Sequence, residues 1–203
     1  MSAAEQMPSA APAPAPGPAR GASAEAMSAP DARVVSVNIA AEKGVRKTPC
    51  AEVTLVVEHG VEGDGHAGPW HRQVSLLAAE SIATMTAKGL DVGPGDFGEN
   101  VTTAGIVVHE LPVGARLRLG ATLVEVTQIG KVCHDRCAIY YQAGDCVMPR
   151  EGIFVRVLEG GPLRPGDQIT IQPPAGEVPG GSPSDSGAGP GAIRSDSGVA
   201  PQV

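Results

Sequence analysis

A reactive cluster, GKVCHDRC, occupies residues 130–137. It places two cysteines, a histidine, an aspartate and two basic residues within eight positions, shortly after a run at 122–128 that reads as a buried strand. Residues of these types serve in metal clips, in disulfides and as thiolate nucleophiles, and they also occur in ordinary loops. The sequence alone keeps all four interpretations open.

Cys133 is the strongest candidate for a catalytic residue in this cluster. It follows the end of the predicted strand and has Lys131, His134 and Arg136 close in sequence. Nearby positive charge favours the thiolate over the thiol, and the thiolate is both a nucleophile and a ligand for soft metals. We therefore predict that Cys133 carries sulfur or binds a metal.

The remaining cysteines have weaker signals. Cys137 is suited to a resolving or second sulfur site and equally to packing, whereas Cys146 lies among small and apolar residues that favour a buried packing thiol. Cys50 has no suggestive neighbours. A zinc site built on Cys133, Cys137, Cys146 and His134, with His66 and His71 as further candidate ligands, is the alternative. Structural zinc sites, however, usually contain two short cysteine or histidine pairs, and this segment has one.

The elements that must position these residues are mostly strands. Short runs rich in β-branched residues predict strands at 32–41 and 52–60, a hairpin at 114–128, and strands at 152–161 and 167–172, while 78–89 predicts a helix. This pattern is typical of a mainly β protein, a small and partly closed β-barrel with one or two short helices. Three polar stretches, 62–77, 93–103 and 130–152, are expected at the barrel rim, where ligands are usually held.

The composition limits both the domain and its partners. Of the 203 residues, 1–31 and 174–203 are rich in Ala, Pro, Gly and Ser, so we expect two disordered tails around one domain at 32–173. The net charge is −7 and no lysine-rich or arginine-rich block is present, which argues against nucleic acid as a partner. No apolar run is long enough to span a membrane and no secretory signal is evident, so we predict a soluble, cytoplasmic protein.

Three motifs together resemble a known family. They are G-D-x-H at 63–66, F-G-E-N-x-T-T-x-G at 97–105, and the cysteine that follows the T-Q strand, Cys133. The similarity extends over nearly all of 33–172 and is to the MOSC domain, which is named for the C-terminal domain of molybdenum cofactor sulfurases. This amino-acid sequence is most similar to a compact, stand-alone subgroup of that family.

The resemblance implies a β-barrel akin to the pyruvate kinase β-barrel domain and a cysteine, here Cys133, that carries sulfur or binds the molybdenum cofactor. It implies partners among the proteins of molybdenum cofactor biosynthesis or the molybdoenzymes. Members often carry a pyridoxal phosphate label as well, but no pyridoxal-binding lysine context is visible here. Whether the chain is an enzyme stays open: sulfur transfer and a cofactor-dependent reduction of N-hydroxylated compounds both agree with the resemblance. The alternative is a structural zinc-binding or regulatory module without catalysis.

The cofactor's chemistry assigns further residues. Molybdenum in a dithiolene pterin takes sulfur donors, for which Cys133 is suited, and the phosphate needs cationic or amide donors. The pterin ring needs polar side chains that can form paired hydrogen bonds. The cofactor-binding candidates are Asp64, His66, Arg72, Glu99, Asn100, Thr102, Lys131 and Arg136, with His71, Cys137 and Cys146 as secondary candidates.

Overall fold

The computed structural model describes residues 31–133 and 138–172. The two predicted tails and residues 134–137 lie outside this part, so the predicted domain boundaries stay predictions. The described strands are β1 (Arg33–Ile39), β2 (Thr48–Cys50), β3 (Val53–Val56), β4 (Gly60–Val61), β5 (Val74–Ala78), β6 (Val101–Ala104), β7 (Arg116–Leu119), β8 (Thr122–Ile129), β9 (Ile153–Glu159), β10 (Gly161–Leu163) and β11 (Ile169–Gln172). The helices are α1 (Ala79–Ala87), α2 (Ala138–Ala143), α3 (Met148–Glu151) and a 3-10 turn at Val108–Glu110.

Eight strands form one sheet in the order β11-β7-β8-β9-β5-β6-β1-β2, and β10-β3-β4 form a second, smaller sheet. The β5–β6 pair is parallel, and every other neighbouring pair in these sheets is antiparallel. The large sheet curls until the Val34 amide donates to the Asp167 carbonyl and the Ile169 amide donates to the Ala32 carbonyl, both at 2.8 Å. These bonds join the start of β1 to the start of β11 without completing a barrel. The predicted mainly β, partly closed architecture is confirmed.

The predicted hairpin at 114–128 is present as β7 and β8. Leu117 and Leu119 point into the core and are fully buried, while Arg116 and Arg118 alternate outward. Because buried and outward-facing residues alternate with a period of two, the hairpin could be predicted from the sequence. The similar segment at 167–172 forms β11, which pairs with β7 in the same sheet.

Two strands that position the site were not predicted. All five residues of β5 are buried, so the strand has no polar alternation and resembles any short apolar run. β6 lies within the F-G-E-N motif and pairs with β5 in parallel after the crossover through α1. The predicted helix at 78–89 is present as α1.

The apolar interior has two parts. One fills the curled sheet, and the other lies between the sheet and the helices, where Leu77, Met85, Phe97, Met148 and Phe154 are buried together. Helices α2 and α3, inside the predicted rim segment 130–152, contribute to the second part. In the described part of the chain, no helix is long and apolar enough to cross a membrane.

Candidate functional site

A cavity of about 720 Å³ opens at one side of the sheet, bordered by the three predicted rim stretches and by the loop after β1. Small-molecule sites usually enclose about 300–1,000 Å³, so the cavity has room for a cofactor-sized ligand. Of the predicted site residues, it is lined by His66, Arg72, Asn100, Lys131, Cys133 and Cys146.

The turn after β8 places Lys131 and Cys133 at this cavity. Gly130 has a φ of +66°, and a Cβ atom there would lie 2.2 Å from the Pro149 carbonyl oxygen. Its amide donates to Gly152 at 2.7 Å, and the Lys131 amide donates to Pro149 at 3.2 Å. Only glycine accommodates both the conformation and the close approach. The exposed Cys133 therefore follows a turn that is fixed against α3.

A buried ion pair lies at the cavity floor. The Lys47 ammonium binds the Asp64 carboxylate, and their side chains are only 1% and 2% exposed. Burial raises the pKa of Asp64, but the hydrogen bonds from Lys47 and from backbone amides outweigh it and hold the pKa below its usual value. Burial also lowers the pKa of Lys47, against the opposing effect of Asp64. Lys47 was not predicted as a site residue, because burial of a lysine in a polar loop has no local signature in the sequence.

Asn100 ties this pair to the sheet. Its side-chain nitrogen donates to Asp64 at 3.0 Å and to the Asn38 carbonyl at 3.3 Å. Its side-chain oxygen accepts from the amide and the hydroxyl of Ser75, at 3.2 and 3.0 Å. An amide side chain offers two donor hydrogens and two lone pairs, so all four positions are used within the protein. Asn100 thus positions Asp64 and Ser75, and Ser75 lines the cavity.

Glu99 and Thr102 lie beneath the cavity and do not line it. The Glu99 Oε1 atom accepts from the Gly95 amide at 2.6 Å and from the Thr102 hydroxyl at 2.9 Å. Its Oε2 atom is buried and has no hydrogen-bond partner among the described residues. Burial raises the pKa of Glu99 although these hydrogen bonds oppose it. Gly95 has a φ of +89°, and a Cβ atom there would lie 2.2 Å from the Lys47 carbonyl oxygen. This close approach of the two backbones brings the loop that contains Glu99 next to Lys47.

The raised pKa of Glu99 predicts a pH dependence of stability. A group whose folded pKa is raised contributes stability that is fully present below its unfolded pKa, near 4.5, and is lost as the pH rises through the folded pKa. Glu99→Gln removes the ionisation and keeps the shape. We expect urea unfolding to show a smaller loss of stability from about pH 5 to about pH 8 in this variant than in the wild type. The exposed Glu110→Gln is the control, and equal slopes for all three proteins would contradict the assignment.

His66 borders the cavity with a side chain that is 37% exposed. Its backbone amide donates to Asp64 at 2.9 Å, and its Nδ1 atom lies 3.5 Å from the same carboxylate oxygen without a hydrogen bond. Burial lowers the pKa of His66, and the positive charge of Lys47 lowers it further. The imidazole is therefore neutral at pH 7 and suited to forming hydrogen bonds with a ligand.

Arg72 lies against two aromatic rings at the cavity. Its guanidinium carbon is 4.6 Å from the Trp70 ring centre and 5.5 Å from the Phe154 ring centre. The Trp70 indole nitrogen donates to the His66 carbonyl at 3.0 Å, which fixes the indole. Trp70, Phe154, Ser75 and Lys47 line the cavity and were not predicted. The Trp70 position was nevertheless inside the predicted rim stretch 62–77.

The other predicted residues have separate positions. The His71 ring lies 2.9 Å from the Gln128 side-chain oxygen and does not line the cavity. Cys146 is buried in the second apolar cluster and borders the cavity from below. Arg136, Cys137 and His134 fall outside the described residues. Across 31–133 and 138–172, no three His, Cys, Asp or Glu side chains are arranged to hold a metal ion.

Comparisons with known proteins agree on the family and the fold. The family model of the MOSC domain matches residues 62–170. The protein YflK of Bacillus subtilis is 27% identical over 142 residues, which cover 64% of this chain and 63% of YflK, less than two thirds of its length. The crystal structure of YuaD from Bacillus subtilis has a TM-score of 0.58 at 18% identity and covers 69% of this chain and 94% of that one. YiiM from Geobacillus stearothermophilus has a TM-score of 0.53 at 22% identity, over 70% of this chain and 75% of its own.

Proposed function

Because the chain belongs to the MOSC domain family, we propose that its cavity binds the molybdenum cofactor and that Cys133 is the molybdenum ligand or the sulfur-carrying residue. The family is associated with this cofactor in general, and the finer assignment is ours. The observation that carries it is the joint presence, in one cavity, of Cys133 and of two cations that have no carboxylate partner within residues 31–133 and 138–172.

The charge balance of the cavity supports an anionic ligand. Arg46 pairs with Asp96 at 3.0 Å, and Lys47 pairs with Asp64. Among the described residues, no carboxylate lies within ion-pair distance of Arg72 or Lys131, although both line the cavity. Two uncompensated cations in a protein of net charge −7 favour the binding of an anion there.

The lining residues also fit the other parts of the cofactor. Cys133 offers the soft sulfur donor that molybdenum prefers, while the neutral His66 offers hydrogen bonds to a polar ring. When bound, the cofactor supplies the redox and atom-transfer chemistry of its metal. The protein's part is to hold the anion at Arg72 and Lys131, to present the sulfur of Cys133, and to keep Asp64 and His66 fixed through Lys47 and Asn100.

Metal analysis of the full chain tests the proposal. Protein purified from a host supplied with molybdate is expected to contain molybdenum and, after oxidation, the fluorescence of a pterin, both approaching one equivalent. Stoichiometric zinc without molybdenum or pterin would instead establish the structural zinc module. We further propose that proteins that supply or receive the cofactor are the partners, and that cofactor loading in their presence is the corresponding assay.

A further inference from the structure

We infer that a second cavity, of about 310 Å³, binds a guanidinium or amidinium cation that carries a small apolar group. This cavity lies between the start of α1, the chain that follows β6 and the end of α3. Its volume is within the range of small-molecule sites. None of its lining residues borders the cavity that contains Cys133, so the inference goes beyond the proposed function and does not depend on it.

Two carboxylates border the second cavity. They belong to Glu80 and Glu151, and within the described part of the chain no lysine or arginine lines the same space. Glu80 has no cationic side chain at ion-pair distance there. Glu151 lies 3.9 Å from Arg150, which contacts Asp145 more closely, at 2.5 and 3.0 Å. A cavity with this charge attracts a cation, whereas the cavity at Cys133, lined by cations, repels one.

The fold holds both carboxylates at the cavity before a ligand arrives. The Oε1 atom of Glu80 accepts from the Gly105 amide at 2.8 Å, which ties the first turn of α1 to the chain after β6. Glu151 ends α3, and α3 packs against the 3-10 turn that contains His109. Because the acceptors are already positioned, a cation loses less free energy to ordering them when it binds.

Two further polar groups of the wall have no partner. Ser81 is 4% exposed, and its hydroxyl forms no hydrogen bond with any other residue of 31–133 and 138–172, although its carbonyl accepts from Thr84. The Nδ1 atom of His109 is buried and likewise has no partner within those residues. Buried polar groups are normally satisfied. A hydroxyl and a neutral imidazole nitrogen both accept hydrogen bonds, so the wall fits a ligand that brings several donors.

The shape of the wall favours a planar cation over a point charge. Among the described residues, no three His, Cys, Asp or Glu side chains are arranged to hold a metal ion, so the acceptors at this cavity do not converge on one atom. The remaining wall is apolar and includes Ala78, Ile106 and Val107. A guanidinium spreads its donors over three nitrogens and is more weakly hydrated than an ammonium, so it is better suited to separated acceptors beside apolar side chains.

Three probes of similar size separate charge from shape: phenylguanidine, its neutral isostere phenylurea, and benzylamine. Calorimetric titration of the full chain at about pH 7.5 is expected to show phenylguanidine binding at least about 10-fold tighter than phenylurea, which lacks the charge-assisted hydrogen bonds. Benzylamine should bind about 3-fold or more weakly than phenylguanidine, because its charge lies on one nitrogen. Phenylguanidine should also shift the amide resonance of Gly105, which reports on Glu80.

Variants test the two carboxylates and the hydroxyl. Glu80→Gln and Glu151→Gln keep the side-chain shape, and each is expected to weaken phenylguanidine binding about 3- to 10-fold while changing phenylurea binding by less than about 2-fold. Ser81→Ala is expected to weaken phenylguanidine binding about 2- to 5-fold. Glu110→Gln removes the same charge from a residue next to His109 that does not line the cavity, and this control should bind as the wild type does.

Equal affinity of the wild type for phenylguanidine, phenylurea and benzylamine would overturn the inference, and so would unchanged binding in both glutamine variants. Failure of phenylguanidine to bind, or a shift at Gly98 in the Cys133 cavity in place of Gly105, would also overturn it. N-acetylarginine amide distinguishes the source of the cation: affinity equal to that of phenylguanidine assigns the site to an arginine side chain of a protein partner, and weaker binding assigns it to a small molecule. None of these measurements involves molybdenum, so their failure is separate from failure of the proposed function.

Discussion

Cys133→Ser is expected to reduce the molybdenum or cofactor-derived sulfur retained by the purified protein by more than about 10-fold. Loss of residues that merely orient metal ligands costs about 10- to 100-fold in affinity, and the loss of a direct ligand should cost at least as much. A serine hydroxyl is a hard donor with a much higher pKa than a thiol, so it replaces neither the metal ligand nor the sulfur carrier. The measurement is molybdenum and labile sulfur per folded chain.

Cys50→Ser is the matched control for this change. Cys50 lies in β2, its thiol donates to the Val37 carbonyl at 3.4 Å, and it does not line the cavity. Its replacement should leave the content of molybdenum and sulfur unchanged. Equal losses in the two variants would mean that the effect comes from a general change in the fold and would contradict the role of Cys133.

Lys47→Met is expected to lower the free energy of unfolding by about 3–5 kcal/mol, because it leaves the buried Asp64 carboxylate without its cation. Backbone amides of Ala40 and His66 and the side chain of Asn100 still donate to Asp64, which favours the lower end of this range. The measurement is urea unfolding at neutral pH, followed by circular dichroism.

The change should also alter the acid side of the stability profile. The Asp64 carboxyl has a lower pKa in the folded chain than in the unfolded chain. Such a group contributes stability that is present above the unfolded pKa, near 3.8, and is lost as the pH falls through the folded pKa. Without Lys47 the folded pKa rises, so the variant should gain less stability than the wild type as the pH increases from about 3 to about 6.

A double-mutant cycle of Lys47→Met and Asp64→Asn tests whether the two effects share one interaction. The double variant should lose less stability than the two single losses added together, because the neutral pair leaves no buried charge. Arg118→Met is the control at the exposed Arg118–Glu159 pair, 3.1 Å apart, where a loss below about 1 kcal/mol is expected. Additive losses at Lys47 and Asp64 would show that the two side chains do not stabilise the fold as a pair.

The sequence by itself determined the parts of this protein that depend on local pattern. The alternation of Leu117 and Leu119 with Arg116 and Arg118 predicted a hairpin, and that hairpin is present. Because Cys133 follows a predicted strand, the sequence predicted that it lies at the rim of the sheet, and Cys133 lines the cavity. The G-D-x-H and F-G-E-N motifs supported the family, which the family model confirms.

The tertiary structure decided which polar residues meet and which of them have partners. Lys47, Asp64 and Asn100 are far apart in the chain and are brought together by the β1–β6–β5 pairing, which includes two strands without a readable period. Glu99 and Asn100 were predicted as cofactor-binding residues; Glu99 lies beneath the cavity, and the Asn100 side-chain amide is fully used within the protein. Ionic state and hydrogen-bonding capacity depend on burial and on neighbours distant in sequence. Residue type and spacing therefore identified the thiol and the motifs, while only the folded chain showed that Arg72 and Lys131 line the same cavity as Cys133 and that Arg72 lies against Trp70.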